Sequence, residues 1–217
     1  MITCPSCTRC TRAQAPALLC AGCGAPLGAN IDLFAALNLP RRLVIDAVAM
    51  ERAYHDLSRR IHPDRFAAAP AAARDASMRA TALLTRAYRT LRDPVSRGRY
   101  WLELHGLKLG ENNQRVPAEL AAMVFETQER LEELHESRTP ENLAAVRARR
   151  DEVAGALEAA TVELTRNFAA WDEDGGEADE RRREALFRDL KAILSKIAYL
   201  TTLERDIGRE LETARAA

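Results

Sequence analysis

The 217-residue chain predicts an all-α protein in three pieces: a small cysteine knuckle, a helical hairpin and a three-helix bundle, the last two set in an L. Ala, Arg, Leu and Glu dominate and aromatics supply only 5%, a mix whose intrinsic preference is helix nearly throughout. Apolar residues recur every three or four positions over long stretches, the period of a helix with one buried face. All five cysteines fall within the first 23 residues, so one composition boundary, marked by Pro26 and Gly28, separates a head from the helical remainder.

Apolar residues make up 47% of the chain, enough to bury a core. Lys plus Arg equals Asp plus Glu at 32 each, which removes any global pull towards nucleic acid or an anionic membrane. No segment approaches the roughly 20 unbroken apolar residues of a membrane span. No apolar or Arg/Ser-rich leader precedes Cys4. The expected location is the cytoplasm.

The head carries Cys4-Pro5-Ser6-Cys7, Cys10 and Cys20-Ala21-Gly22-Cys23-Gly24. Two C-x-x-C pairs can place four thiolates at the corners of a tetrahedron, the arrangement structural Zn²⁺ prefers. The expected ligands are Cys4, Cys7, Cys20 and Cys23, holding one zinc per chain, with Gly24 letting backbone amides approach the sulfurs. A second register, Cys7 and Cys10 with Cys20 and Cys23, stays open. Disulfides fit poorly with the cytoplasm, and a redox dithiol would want a strand-to-helix junction. A nucleic-acid-binding ribbon would rest on Arg9 and Arg12 alone, too few charges for useful affinity.

In the hairpin, Asp46 is placed to cap a helix whose stripe runs Ala47, Met50, Tyr54, Leu57, Ile61. Pro63 ends that helix, because the residue before a proline is pushed out of the α region. A second helix repeats the spacing at Ala80, Leu84, Ala87 and Leu91, and Asp93-Pro94 closes it and opens a short third one through Tyr100, Trp101 and Leu104. The loop between the first two carries His62-Pro63-Asp64, beside an exposed face with Arg52, His55, Arg59 and Arg60. A basic face next to an exposed imidazole and carboxylate suits an acidic protein surface.

After a polar link, Gly110-Glu111-Asn112-Asn113-Gln114, three long stripes follow. Leu120, Val124, Leu131 and Leu134 define the first. Leu143, Val146, Val153, Leu157, Ala160, Leu164 and Trp171 define the second. Leu186, Leu190, Ile193, Ile197, Leu200, Ile207 and Leu211 define the third. Breaks at Thr139-Pro140 and Asp174-Gly175-Gly176 give an up-down-up bundle. On its first helix Phe125 lies off the stripe, with Ala121, Ala122, Glu126, Glu129 and Glu133 on its side. An aromatic ringed by carboxylates is costly to expose unless something binds there. No nucleophile–base pair, phosphate loop or carboxylate dyad is evident, so the chain is expected to be no enzyme.

The run Tyr54 to Phe66, centred on His62-Pro63-Asp64, resembles the J-domain of DnaJ-type co-chaperones. The run Ala87 to Gly106 and the opening Asp32-Leu33-Phe34-Ala35-Ala36-Leu37-Asn38-Leu39-Pro40 resemble the HscB family of iron–sulfur cluster biogenesis more specifically. The four-cysteine head is similar to the one in mitochondrial members. The resemblance implies a zinc module over 1–29, a J-domain over 30–107, a link over 108–116 and a client-binding bundle over 117–217. It implies that His62, Pro63, Asp64, Arg52, Arg59 and Arg60 engage a DnaK/HscA-class ATPase chaperone. It implies that Ala121, Ala122, Phe125, Glu126, Glu129, Glu133 and Tyr199 hold an IscU-type scaffold protein. The family has larger apolar residues where this chain has Ala121 and Ala122. A general protein-folding co-chaperone with another client is the alternative.

Overall fold

The computed structural model describes residues 2–4, 7, 10–11, 18–27, 31–109, 118–174 and 179–216. Among the described residues it is all-α apart from the head, where β1 (Ile2–Thr3) pairs antiparallel with β2 (Cys10–Thr11) and an isolated bridge joins Leu19 to Pro26. The helices are α1 (Leu33–Ala36), α2 (Ala47–Ile61), α3 (Ala71–Arg92), α4 (Pro94–Leu104), α5 (Ala121–Glu136), α6 (Pro140–Glu173) and α7 (Glu180–Ala216). The chain divides into two compact units, Met1–Arg97 and Gly98–Ala217. Arg9, Arg12, Gly28, the Gly110–Gln114 link and the Gly175-Gly176 break lie outside the described residues. No described helix is long and apolar enough to cross a membrane.

Three of the helices, α1, α2 and α4, start on an aspartate that accepts otherwise orphaned N–H groups, whereas α3 starts at Pro70 with no side-chain cap. Asp32 caps α1, accepting from Ala35 N at 2.9 Å, and its other oxygen takes Arg41 Nη2 at 2.6 Å. Burial alone would raise the Asp32 carboxyl, but the Ala35 N–H and the Arg41 guanidinium outweigh it and hold it below the usual carboxylate range. Asp46 caps α2 as expected, accepting from Val48 N and Ala49 N. Asp93 closes α3 and accepts from Ser96 N at 2.7 Å in the first turn of α4.

α2 and α3 form the predicted hairpin. Met50, Leu57 and Ile61 are buried against the α3 stripe Ala80, Leu84, Ala87 and Leu91. The stripe fails at its first member: Ala47, the opening residue of α2, is exposed. Tyr54 is half-buried and stacks on Tyr88 at 4.3 Å. Ser77, fully buried, was invisible to the apolar pattern. Its Oγ donates to Ile61 O at 2.6 Å, satisfying the last carbonyl of α2 from the neighbouring helix. Arg97 is likewise buried, donating to Leu43 O at 2.6 Å.

In the second unit α6 and α7 pack along each other and α5 lies against both. Leu120, Val124, Leu134, Val146, Val153, Ala160, Leu164 and Trp171 are buried as predicted; Leu131, Leu143 and Leu157 are half-buried. On α7 the expected core residue Ile193 is only half-buried, and Leu194 takes its place at full burial. Gly98 explains the choice, because a Cβ there would meet both methyls of Leu194 and one of Leu190 at 3.3–3.4 Å. Phe168 also joins the core, and Trp101, His105, Trp171 and Phe187 form a ring cluster with centroids 4.6–6.1 Å apart.

Ser77→Ala leaves the Ile61 carbonyl without its donor in a dry site, so urea denaturation is expected to show a loss of about 1–3 kcal/mol. Asp32→Asn removes a group whose folded pKa is depressed. Its stabilisation is complete above the unfolded carboxyl's pKa of about 3.9 and is lost as pH falls through the folded value. The variant is therefore less stable than the parent at pH 7, and pH-dependent melting should show the gap closing in acid.

Candidate functional site

The turn after α2 follows from two local rules. His62, forced extended by Pro63, has φ −55° and ψ 132°, and the chain then makes a single 3₁₀ turn over Pro63–Phe66. His62 Nδ1 accepts the Asp64 N–H at 3.3 Å and lies 3.5 Å from the Asp64 carboxylate. The imidazole therefore organises the turn, and the carboxylate, 90% exposed, points into solvent. Arg52, Arg59 and Arg60 are all exposed on α2. Arg59 pairs with Asp56, and Arg52 and Arg60 make no ion pair among the described residues. Ser77 is the supporting residue that sequence reasoning missed: it anchors the carbonyl immediately before this turn. A serine at i+4 from Ala73 and i−3 from Ala80, inside an otherwise apolar stripe, was the available signal.

In the head, the sulfurs of Cys4, Cys7, Cys20 and Cys23 all lie within 4.8 Å of one another. Cys4 Sγ is 3.5 Å from Cys23 Sγ and Cys7 Sγ is 3.8 Å from Cys20 Sγ, far beyond the roughly 2.05 Å of a disulfide. Residues 18–27 form the knuckle, with Leu27 N bonded to Leu18 O, Cys20 N to Ala25 O and Gly24 N to Cys20 O. Gly24 sits at φ +72°, a left-handed position that suits glycine. Backbone N–H groups of Cys23 and then Gly22 point at the Cys20 sulfur and, against burial, bring its thiol down to about 7. At Cys23 the Ala25 N–H favours the thiolate, but its hydrogen bond with Cys4, desolvation and the other two sulfurs push it up to about 12. Four thiols this close cannot all ionise without a cation among them, so the cluster is suited to a metal ion. The side chain of Cys10, the alternative ligand, lies outside the described residues.

On the bundle, Phe125 is 62% exposed on α5, off the buried stripe as expected. Ala121, Ala122, Glu126 and Glu129 are exposed beside it and Glu133 is half-buried. The three carboxylates are not equivalent. Glu126 is held by Arg149 of α6 at 2.8 Å, Glu133 by Arg130 at 2.7 Å, and Glu129 pairs with no side chain among the described residues. Tyr199 is half-buried on α7, and no described ring contact joins it to Phe125. His135 of α5 lies 2.8 Å from the Glu210 carboxylate of α7.

No protein-family model matches the chain. The co-chaperone protein HscB homolog of Burkholderia multivorans is 37% identical over 131 residues, 59% of this chain and 73% of that protein. The homolog of Aromatoleum aromaticum is 40% identical over 107 residues, 49% of this chain, and the chain spans only 59% of that relative's length. Among solved structures, human co-chaperone protein HscB superposes with a TM-score of 0.62 at 24% identity, covering 94% of this chain and 96% of that one. HscB from Vibrio cholerae gives 0.58 at 21%, covering 82% and 96%. At these identities the structures speak to the fold and the sequences to descent: the chain belongs to the HscB co-chaperone family.

Proposed function

We propose that the protein is a co-chaperone that stimulates the ATPase of a DnaK/HscA-class chaperone and delivers to it an IscU-type iron–sulfur scaffold protein. The observation that carries the first half is the turn itself. His62 spends its Nδ1 on the backbone, so the turn is rigid, and Asp64 stands fully presented at the end of a helix whose exposed Arg52 and Arg60 make no ion pair among the described residues. A carboxylate held this way forms a charge-assisted pair with a basic residue of the partner, while the arginines steer encounter with an acidic surface. Residues 30–107 act as the J-domain, and the chain carries out no chemistry of its own.

The second half rests on the exposed Phe125 with Glu126 and Glu129 around it. An aromatic anchor inside an acidic rim is the composition of a binding hot spot for a partner with a basic, partly apolar surface. Ala121 and Ala122 widen that surface without adding much apolar area. Tyr199 contributes from α7.

The cysteine centre holds one structural zinc per chain through Cys4, Cys7, Cys20 and Cys23. The fit rests on four sulfurs within 4.8 Å and on backbone N–H groups aimed at Cys20. Four protein ligands leave no position for substrate, so the ion's contribution is to folding the head. All of this is work for the cytoplasm.

His62→Gln is expected to return the chaperone's ATPase to its unstimulated rate with helicity by circular dichroism unchanged; retained stimulation would remove the J-domain assignment. Phe125→Ala is expected to weaken scaffold binding by about 1–2 kcal/mol, roughly tenfold, and to leave ATPase stimulation without scaffold intact. Elemental analysis should find about one zinc per chain, and Co²⁺ in its place should give the intense visible bands of a tetrahedral thiolate site. Iron instead would indicate a redox centre.

A further inference from the structure

Beyond the start of α5 the seam between α6 and α7 stays open as a groove of about 510 Å³. Its floor is apolar: Ala170 of α6, and Leu186 and Ile193 of α7. Set in that floor is Asn167, only 7% exposed. Its Nδ2 donates to Leu186 O at 3.3 Å, and its Oδ1 is buried with no donor among the described residues. A buried carbonyl oxygen without a donor costs free energy in the unbound chain and rewards a ligand that supplies an N–H.

The rim decides what kind of donor. Three carboxylates, Glu119, Glu163 and Asp189, face two cations, Arg166 and Lys196. The Lys196 ammonium, 17% exposed, stands between Glu119 at 3.5 Å and Glu163 at 3.4 Å, both longer than a charge-assisted hydrogen bond of about 2.7–2.9 Å. Both carboxylates thus retain acceptor capacity, and Asp189 pairs with no side chain among the described residues. An anion entering this groove would meet the surplus carboxylate. A second cation with a long aliphatic stem meets acceptors at its head and apolar surface along its length.

We infer that this groove takes a lysine or arginine side chain of the client protein, making it a second, cation-accepting subsite of the client surface. The inference rests on the client-binding reading above and extends it. Continuity supports it: Glu119 lies two residues before Ala121, and Lys196 one helical turn before Tyr199, so the groove borders the α5 face at both walls. The sign of the charge also matches, since Glu126 and Glu129 call for a basic partner.

The test uses the full chain and the scaffold protein, with binding followed by calorimetry and stopped-flow. Asp189→Lys reverses an exposed rim charge and is expected to slow association several-fold at low salt, with the effect fading as salt rises. Ala170→Trp fills the floor and is expected to weaken binding about tenfold at any salt. The Asn167 side-chain amide resonance of the parent chain should shift when scaffold is added. If both variants bind as the parent does and that resonance stays put while Phe125→Ala still weakens binding, the groove plays no part and the α5 surface stands alone. If Phe125→Ala is also without effect, the client reading itself fails.

Discussion

The α2 helix cannot run on through Pro63, and the geometry of the presented turn follows from that one steric limit. The proline ring excludes His62 from the α region, so the last carbonyls of α2 lose their intrahelical partners at the place where the chain exposes a carboxylate. Two side chains deal with the consequences. Ser77, from across the hairpin, donates to Ile61 O, and His62 folds its ring back onto the Asp64 N–H. The backbone on both sides of Pro63 is thereby tied, one end to the buried seam of α2 and α3 and the other to its own side chain. Asp64 is presented by a structure with few alternatives, a carboxylate already in position for the docking proposed above.

That seam was legible in the sequence because alanine and leucine at three-and-four spacing leave little choice of face. Met50, Leu57, Ile61, Ala80, Leu84, Ala87 and Leu91 are buried as their spacing demanded. What the spacing could not supply were the polar groups inside it. Ser77 reads as one more small residue in an alanine-rich helix, and Arg97 reads as surface charge, yet both are buried and both spend a hydrogen bond on a main-chain carbonyl of another segment. Their partners, Ile61 and Leu43, lie 16 and 54 residues away, and no local pattern names an acceptor at that distance. Ala47 fails for a different reason: a first-turn residue has no preceding helical turn to pack with, and it is exposed.

The cysteine head is a case where spacing carried nearly everything. Two C-x-x-C pairs separated by a short loop bring four sulfurs within 4.8 Å, and the glycine after the second pair adopts the left-handed backbone the knuckle needs. The direction of the amides was less visible. Gly24 spends its N–H on Cys20 O, while Gly22 and Cys23 face the Cys20 sulfur and Ala25 faces Cys23. A head of this size has too few apolar side chains for a core of its own. Leu18, Ala25 and Leu27 are nonetheless buried, which ties the fold of the head to its sulfur cluster and to the rest of its unit.

On the bundle, the misplaced core residue and the open groove have the same origin. α6 and α7 run 34 and 37 residues, whereas α5 has 16, so at 1.5 Å per residue α5 covers less than half of the seam between them. Along the remainder, residues 98–105 cover one side, and Gly98 lets them approach so closely that Leu190 and Leu194 become the contact. A helix that turns Leu194 inward on that side must rotate Ile193 outward by about 100° on the other, because neighbours on a 3.6-residue helix are that far apart. Leu186, Asp189, Ile193 and Lys196 then share one outward face, and Glu163, Asn167 and Ala170 form the matching face of α6. Periodicity alone could choose between Ile193 and Leu194 only by fitting one continuous stripe, and the stripe is not continuous: α5 sets its direction at one end and Gly98 at the other. The half-buried isoleucine and the asparagine with an idle carbonyl are what remain where those two directions diverge, which is why the apolar floor of the groove has a hydrogen-bond acceptor in it.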